Sequence, residues 1–134
     1  VFPARIRFAW GVGDITTAIN QERAIGMDGP AFHQARALLE GMKKSKQLFA
    51  CAGLDDDLIN HSLHLVSYNL RKWNANRLRI LHLLNAGHHV AQIADSLNIT
   101  DKAIYKAMEA GALKVIQTIF ADIVQEINTH VGVT

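Results

Sequence analysis

The sequence predicts an α+β protein in which a short α+β segment, residues 1–53, precedes an all-helical domain, residues 54–134, with a helix-turn-helix. Small or basic side chains alternate with apolar ones over residues 4–10, which is the period of a half-buried strand. After the first segment the apolar residues recur at helical spacing instead. The stretch VAQIADSLNITDKAIYKAM, residues 90–108, then has the form of two short helices joined by a tight turn.

The first segment is predicted to contain β structure around one helix. Asp-Gly favours a corner in the run AIGMDGP, and Pro30 suits the first position of a helix. Gly26, Asp28 and Gly29 are therefore predicted to be structural. The elements in chain order are a strand over residues 4–10 with Ile6, Phe8 and Trp10 on one face, a β continuation over Ile15-Thr16-Thr17, a turn over 24–30, a helix from Pro30 to about Lys44, and a strand over 47–52.

The second segment is predicted to be helical throughout. Acidic residues at its start suit the first turn of a helix, and Trp73 is expected to anchor the core. The elements are a helix over about 55–72, a helix from about Leu78 that ends at Gly87, the helix-turn-helix within about 78–110, and a last helix over 110–130.

The helix-turn-helix has a suitable residue at each structural position. Ala94 is small enough for the crossing of the two helices, and Asn98 tolerates the left-handed conformation that the turn needs. Thr100 can cap the second helix, with Asp101 in its first turn. The inward positions are Ile93, Leu97, Ile99, Ile104 and Ala107.

Several side chains are candidates for DNA contacts. Residues 71–114 hold seven Lys/Arg against three Asp/Glu, so this stretch has a local net charge of +4. The candidates for DNA contact on the second helix of the motif are Thr100, Lys102, Tyr105, Lys106 and Glu109. Candidates for phosphate contacts are Arg71, Lys72, Arg77, Arg79, His88 and His89. The alternative is a helix-turn-helix that only packs or contacts protein.

The last helix is expected to form a homodimer contact. Leu113, Ile116, Phe120, Ile123 and Ile127 form a seam at steps of three and four residues. Val115, Ile119 and Val124 widen it into a band that one small domain would not cover alone. The alternative is that the helix over about 55–72 covers the band within one chain.

Other chemistry is not indicated by the sequence. Thr16 stands where a dinucleotide fingerprint needs its third glycine, and no Walker loop is present, so no cofactor is expected. His61 and His64 lie one helical turn apart but lack further ligands, so no metal is expected. The single cysteine, Cys51, is expected to be a buried hydrophobe. Neither a membrane span nor a signal peptide is indicated, and we expect a cytoplasmic protein.

Two stretches of the first half carry a resemblance. RIRFAWGVGDITTAIN and AIGMDGPAFHQARALLE, with a Trp ahead of a helix-turn-helix, resemble the SatD family of bacterial proteins from Arg5 to about residue 116. Members of that family carry an additional N-terminal segment, so the resemblance implies an N-terminally incomplete member. The family's first half is similar to class III nucleotidyl cyclases and diguanylate cyclases, which implies that residues 1–53 are a partial cyclase-like, ferredoxin-like segment.

The resemblance does not imply cyclase activity in this chain. The cyclases hold two metal ions on aspartates that would lie upstream of Val1. Arg36 corresponds to their transition-state arginine, but Phe32 stands where they have an asparagine. No catalytic residue is therefore assigned. The helix start at Gly29-Pro30 is retained as a candidate site for an anion or nucleotide phosphate.

The helix-turn-helix resembles region 4 of sigma factors and the modules of LuxR-type regulators. These resemblances imply a bacterial DNA-binding regulator with a catalytically inactive sensory or scaffold part. One alternative is a nucleotide-binding or interaction module whose helix-turn-helix only packs. The other is an enzyme whose catalytic residues lie in the missing N-terminal segment.

Overall fold

A computed structural model describes residues 6–23, 25–55 and 57–132. Within these residues the chain forms two strands and six helices, and the predicted α+β class is confirmed. The elements are β1 Phe8–Gly11, α1 Pro30–Met42, β2 Phe49–Ala52, α2 Asp57–Leu70, α3 Ala75–Asn85, α4 Val90–Leu97, α5 Asp101–Ala110 and α6 Leu113–His130.

The chain divides into two compact units. The first consists of Val1–Tyr68 with Ile123–Thr134, and the second of Asn69–Asp122. These bounds differ from the boundary after Gly53 that the change in sequence pattern suggests, because most of α2 groups with the strands. A division of function at residue 53 stays a prediction.

The sheet of the first unit is parallel and its two faces differ in side-chain size. Phe8 pairs with Phe49 and Trp10 with Cys51. The ring centroids of Phe8 and Trp10 lie 5.7 and 6.0 Å from that of Phe49, so both side chains share a face as predicted. The other face is small: a Cβ atom on Gly11 would collide with the Ala31 carbonyl of α1. Glycine therefore allows the helix to lie directly on the strand.

Side chains of α2 form hydrogen bonds with Cys51 of β2 and with Leu48 just before the strand. Asn60 donates from Nδ2 to the Cys51 carbonyl at 2.8 Å, and its Oδ1 accepts from the Cys51 amide at 2.9 Å. Ser67 Oγ accepts from the Leu48 amide at 3.0 Å and donates to the Leu63 carbonyl at 2.7 Å. The buried hydroxyl of Ser67 thus both accepts and donates a hydrogen bond, and these side chains hold α2 against the strand.

The predicted β continuation at Ile15-Thr16-Thr17 is wrong. These residues form an irregular loop in which the Thr16 amide and hydroxyl both donate to the Asp28 carbonyl, at 2.9 and 3.0 Å. Thr17 Oγ1 accepts from the Asp28 amide at 2.9 Å. The hydroxyls of Thr16 and Thr17 thus form hydrogen bonds with the backbone of Asp28, in place of the hydrogen bonds that pairing with a strand would provide. The first predicted strand is shorter than expected, and residues 4 and 5 lie outside the described residues.

Cys51 is expected to react slowly with thiol reagents in the native protein. Its side chain is buried, as predicted, and burial raises the pKa of the thiol because it disfavours the charged form. The thiolate is the form of cysteine that reacts with such reagents. Because the pKa of Cys51 is raised, little thiolate is present at neutral pH. Ellman's reagent should label the unfolded chain quickly and the native chain at least about tenfold more slowly. Equal rates in buffer and in denaturant would contradict this burial.

Each helix of the second unit contributes apolar residues to the core of that unit. Trp73 is buried, which confirms its predicted role as a core residue. Fully buried side chains in this unit include Ile80, Ile93, Ile104 and Leu113.

The predicted apolar band of α6 is largely covered within the chain. Leu113, Ile116 and Ile123 are buried. Only Val115 and Val124 are more than half exposed, at 59% and 54%. The residues of intermediate burial are Ile119, Phe120 and Ile127. The surface that α6 leaves for a partner is therefore narrower than the sequence pattern suggests.

Candidate nucleic-acid interface

Local geometry holds α4 and α5 close together across a short turn. Asn98 ends α4 with φ 53° and ψ 48°, the left-handed conformation predicted for it. The Ile99 amide donates to the Ala94 carbonyl at 3.0 Å, which closes the turn. Thr100 Oγ1 accepts from the Ala103 amide at 3.2 Å, so the predicted cap of α5 is confirmed.

The second helix of this pair has one buried and one exposed face. Ile104 and Met108 are buried, one helical turn apart. The predicted contact residues are all exposed, and they are Thr100, Lys102, Tyr105, Lys106 and Glu109. Of the predicted inward residues, Ile93, Ala94 and Ile104 are buried and Leu97, Ile99 and Ala107 are intermediate. Met108 was missed, although its spacing of four from Ile104 is a sufficient signal.

Charge is distributed unevenly between the two units. Asn69–Asp122 holds seven Lys/Arg against four Asp/Glu, a net charge of +3, whereas the remainder of the chain has a net charge of −1. On α5 itself Lys102 and Lys106 are balanced by Asp101 and Glu109. Attraction of a polyanion to this unit would therefore depend on basic residues outside α5 as well.

Five of the six predicted phosphate contacts are exposed. These are Arg71, Lys72, Arg79, His88 and His89. The sixth, Arg77, is half-buried, and a Cβ atom on Gly111 would lie only 2.7 Å from its Cδ atom. The aliphatic part of the Arg77 side chain thus packs against Gly111, the residue that ends α5. A positive charge near the C-terminal end of a helix also complements the helix dipole. Asn69 Nδ2 donates to the Gly111 carbonyl at 3.0 Å in the same place.

The two histidines lie where α4 begins. His89 is the residue that precedes the first turn, and its amide donates to Gln92 Oε1 at 2.9 Å. An exposed helix start with adjacent imidazoles can accept an anion, because helix N-termini favour negative charge. The amides of His88 and His89 are both used within the chain, by the Leu83 carbonyl and by Gln92 Oε1. Phosphate contacts by the two exposed imidazoles stay a prediction.

A cavity of about 440 Å³ adjoins the exposed face of α5. Its lining residues are Tyr105, Met108, Glu109, Ala112, Lys114 and Val115. Ala112 has φ 51°, a left-handed conformation that is uncommon for a residue with a side chain. No sequence signal marks this residue, because alanine has no preference for that conformation.

Other candidate sites gain no support within the described residues. His61 and His64 are exposed, and no group of three or more potential metal ligands is found there. At the start of α1 the Ala31 amide donates to the Asp14 carbonyl at 3.3 Å, and the Gly29 amide donates to Asp28 Oδ1 at 2.9 Å. Two donors that an anion would need are thus occupied.

An exposed contact between two side chains accompanies that helix start. His33 Nε2 lies 2.8 Å from Asp28 Oδ1. The pair was not predicted, although the spacing of five residues across a turn is compatible with it. In the described part of the chain, no helix is both long enough and apolar enough to cross a membrane.

Comparison with known proteins identifies the family of the chain. Neither the curated proteins nor the solved structures contain a significant match. A model of the SatD family matches residues 1–123, which is most of the chain. The chain therefore belongs to the SatD family, as the motifs around Gly13-Asp14 and Gly26–Phe32 suggested.

Proposed function

We propose that the protein is a bacterial, cytoplasmic regulator that binds DNA through a helix-turn-helix formed by α4 and α5. The observation that carries this proposal is the two-sided nature of α5. Its apolar residues Ile104 and Met108 are buried, while Lys102, Tyr105 and Lys106 are exposed together on the other side. Such a helix can enter a major groove without disturbing the core that holds it.

Electrostatics support the same proposal. The second unit has a net charge of +3, and exposed Arg71, Lys72 and Arg79 add to the two lysines of α5. Phosphate contacts by such residues position a protein on the duplex, while side chains on α5 read the bases. In this proposal Arg77 contributes chiefly by packing on Gly111.

The first unit is assigned a sensory or scaffold role without catalysis. Phe32 occupies the position at which the similar cyclases have an asparagine, and it is half-buried in α1. A phenyl ring has no hydrogen-bonding group with which to orient a ribose. Two donors at the start of α1, the amides of Gly29 and Ala31, are occupied within the chain, so we assign no nucleotide to this unit.

Lys106→Ala is expected to weaken DNA binding and to reduce the dependence of log K on log salt by about one unit, because one phosphate contact is lost. Tyr105→Ala should change the preference among sequences by about 1–3 kcal/mol if its ring reaches a base edge. The measurement is a salt titration of binding to genomic DNA fragments by fluorescence anisotropy.

Lys46→Ala is the matched control, because Lys46 is an exposed lysine of the first unit. It should leave both affinity and salt slope unchanged. If single replacements of Lys102, Tyr105 and Lys106 all leave DNA binding unaltered in folded protein, the α4–α5 pair serves only as scaffold.

A homodimer is part of the proposal. Two recognition helices one turn of DNA apart are the usual way in which small helix-turn-helix proteins reach sufficient affinity. The position of the contact between the copies is a separate question, since the expected band on α6 is mostly buried.

A further inference from the structure

Strand β1 has one edge that pairs with β2 and one edge that does not. The amides of Phe8 and Val12 donate to carbonyls of β2 or of the residue before it, each at 2.8 Å. Successive residues of a strand direct their backbone groups to opposite edges. Ala9 and Gly11 therefore direct their amide and carbonyl groups away from β2. We call this side of the strand the open edge of β1.

The backbone groups on the open edge of β1 are unpaired and partly shielded from water. Among the described residues, no hydrogen bond reaches the amide or the carbonyl of Ala9 or Gly11, and both residues are half-buried. On β2, by contrast, the amide and carbonyl of Cys51 are both bonded to Asn60. Backbone groups without a partner cost free energy when they are shielded, and an unpaired row of them is a template for a further strand.

A cavity of about 330 Å³ lies along the open edge of β1. Its lining includes the consecutive residues 9–12, which belong to both faces of the strand, but no described residue of β2. The cavity must therefore lie beside the strand, on the side away from β2. The rest of the lining is Ile15, three residues of α1 and Ile127 of α6, and none of the lining side chains is charged. A side chain that enters this space is therefore expected to be apolar.

The position of α1 disfavours a second copy of this chain as the added strand. Gly11 lets α1 lie directly on β1, because a Cβ atom there would collide with the Ala31 carbonyl. In an antiparallel pair of two β1 edges, both copies of α1 would lie on the same face of the joined sheet. Neighbouring strands are about 4.8 Å apart, whereas the axes of packed helices need about 8–10 Å. The open edge therefore suits an extended segment that brings no helix over this face.

We propose that the open edge of β1 binds an extended segment of another polypeptide as a third strand, with an apolar side chain of that segment in the adjoining cavity. In this mode of recognition main-chain hydrogen bonds supply the affinity, and pockets for alternate side chains supply the preference. The segment should therefore alternate apolar and polar residues, and many sequences of that pattern should bind. The inference concerns the first unit alone and does not depend on DNA binding by α4 and α5.

Hydrogen exchange of four backbone amides, measured by NMR, is the first test. In the free protein the amides of Ala9 and Gly11 should exchange at least about tenfold faster than those of Phe8 and Val12, which are bonded to carbonyls. The probe is a peptide of alternating threonine and valine with blocked ends, about seven residues long to span the edge at about 3.3 Å per residue. The bound peptide should slow exchange at Ala9 and Gly11 at least about tenfold and leave Phe8 and Val12 nearly unchanged.

Two N-methylated versions of the peptide test the main-chain hydrogen bonds. One version has its methyl groups on the valine nitrogens and the other on the threonine nitrogens. Alternate residues direct their amides to opposite edges of a strand, so the methyl groups face β1 in one version and solvent in the other. One version should therefore bind at least about tenfold more weakly than the other. Equal binding by both versions overturns the proposal.

Ile127→Lys tests the part of the cavity, and Val124→Lys is the matched control on the same helix. Ile127 lines the cavity, whereas Val124 is more than half exposed and does not line it. Ile127→Lys should weaken peptide binding at least about tenfold, because it places a charge in an apolar site. Val124→Lys should leave binding unchanged. Circular dichroism establishes that both variants are folded.

Slow exchange of the Ala9 and Gly11 amides without peptide overturns the proposal, because the edge is then already covered. Protection that rises with protein concentration would identify a second copy as the cover, and protection independent of concentration would identify the chain itself. Unchanged exchange at about 1 mM peptide overturns the proposal as well. Lys106→Ala should leave peptide binding unaltered even if DNA binding is lost, so the two proposals fail separately.

Discussion

Replacing Ile104 with alanine is expected to lower the free energy of unfolding by about 2–5 kcal/mol. Ile104 is 0% exposed and lies on the buried face of α5, and fully buried Ile93 of α4 belongs to the same core. Removing three carbon atoms there reduces the buried apolar surface. It also leaves a cavity that the surrounding side chains can fill only in part. Urea denaturation followed by circular dichroism measures the loss.

Two controls accompany the Ile104 variant. Ile104→Val removes only one methyl group and should cost about 0.5–1.5 kcal/mol. Tyr105→Ala changes a larger side chain that is exposed on the other face, so it should shift stability by no more than about 0.5 kcal/mol. Similar losses for Ile104→Ala and Tyr105→Ala would contradict the assignment of the two faces of α5.

Gly29→Val is expected to destabilise the first unit by about 3 kcal/mol or more. Gly29 has φ 144°, a conformation that residues with a Cβ atom rarely adopt. A Cβ atom there would lie 2.6 Å from the Asp14 carbonyl oxygen and 2.9 Å from Thr16 N, both of them backbone atoms. The loop would have to move, and the hydrogen bonds from Thr16 to the Asp28 carbonyl would be lost with it.

The stabilities of the Gly29→Val and Gly41→Ala variants are compared by thermal unfolding. A Cβ atom on Gly41 meets nothing within 4 Å, and alanine is the better helix former, so this control should raise stability by about 0.5–1 kcal/mol. A Gly29→Val protein of unaltered stability that no longer binds a nucleotide or anion would show that this turn is a binding site and not a structural element. Quenching of tryptophan fluorescence by added nucleotide would detect that binding.

Much of the second unit follows from local sequence. Helical periodicity predicted α4 and α5, and it also separated Ile104 from Tyr105. Asn98 and Thr100 were predicted because the left-handed turn and the helix cap each depend on one residue and its nearest neighbours. Exposure of the candidate contact residues could be predicted for the same reason, since the side on which a helical residue lies depends on spacing alone.

The first unit shows where local sequence is insufficient. Ile15-Thr16-Thr17 has β-branched residues and was predicted as β structure, yet its hydrogen bonds go to Asp28, eleven or twelve residues away. The Cys51 amide of β2 donates to Asn60 of α2, and the amide of Leu48 just before the strand donates to Ser67 of the same helix. Both outcomes depend on which distant groups meet, and β pairing has no local signal that would exclude them.

The sequence was sufficient for the α+β class, the helices and their faces, because each depends on the spacing of residues within one element. Tertiary structure alone decided the parallel pairing of β1 with β2, the packing of Arg77 on Gly111 and the covering of most of α6. It also decided which apolar residues remained exposed, and these include Leu58 and Leu65 of α2, whereas Leu113 of α6 is covered. Periodicity shows that a helix has an apolar face, but only the contacts formed across the fold determine whether the chain itself covers that face.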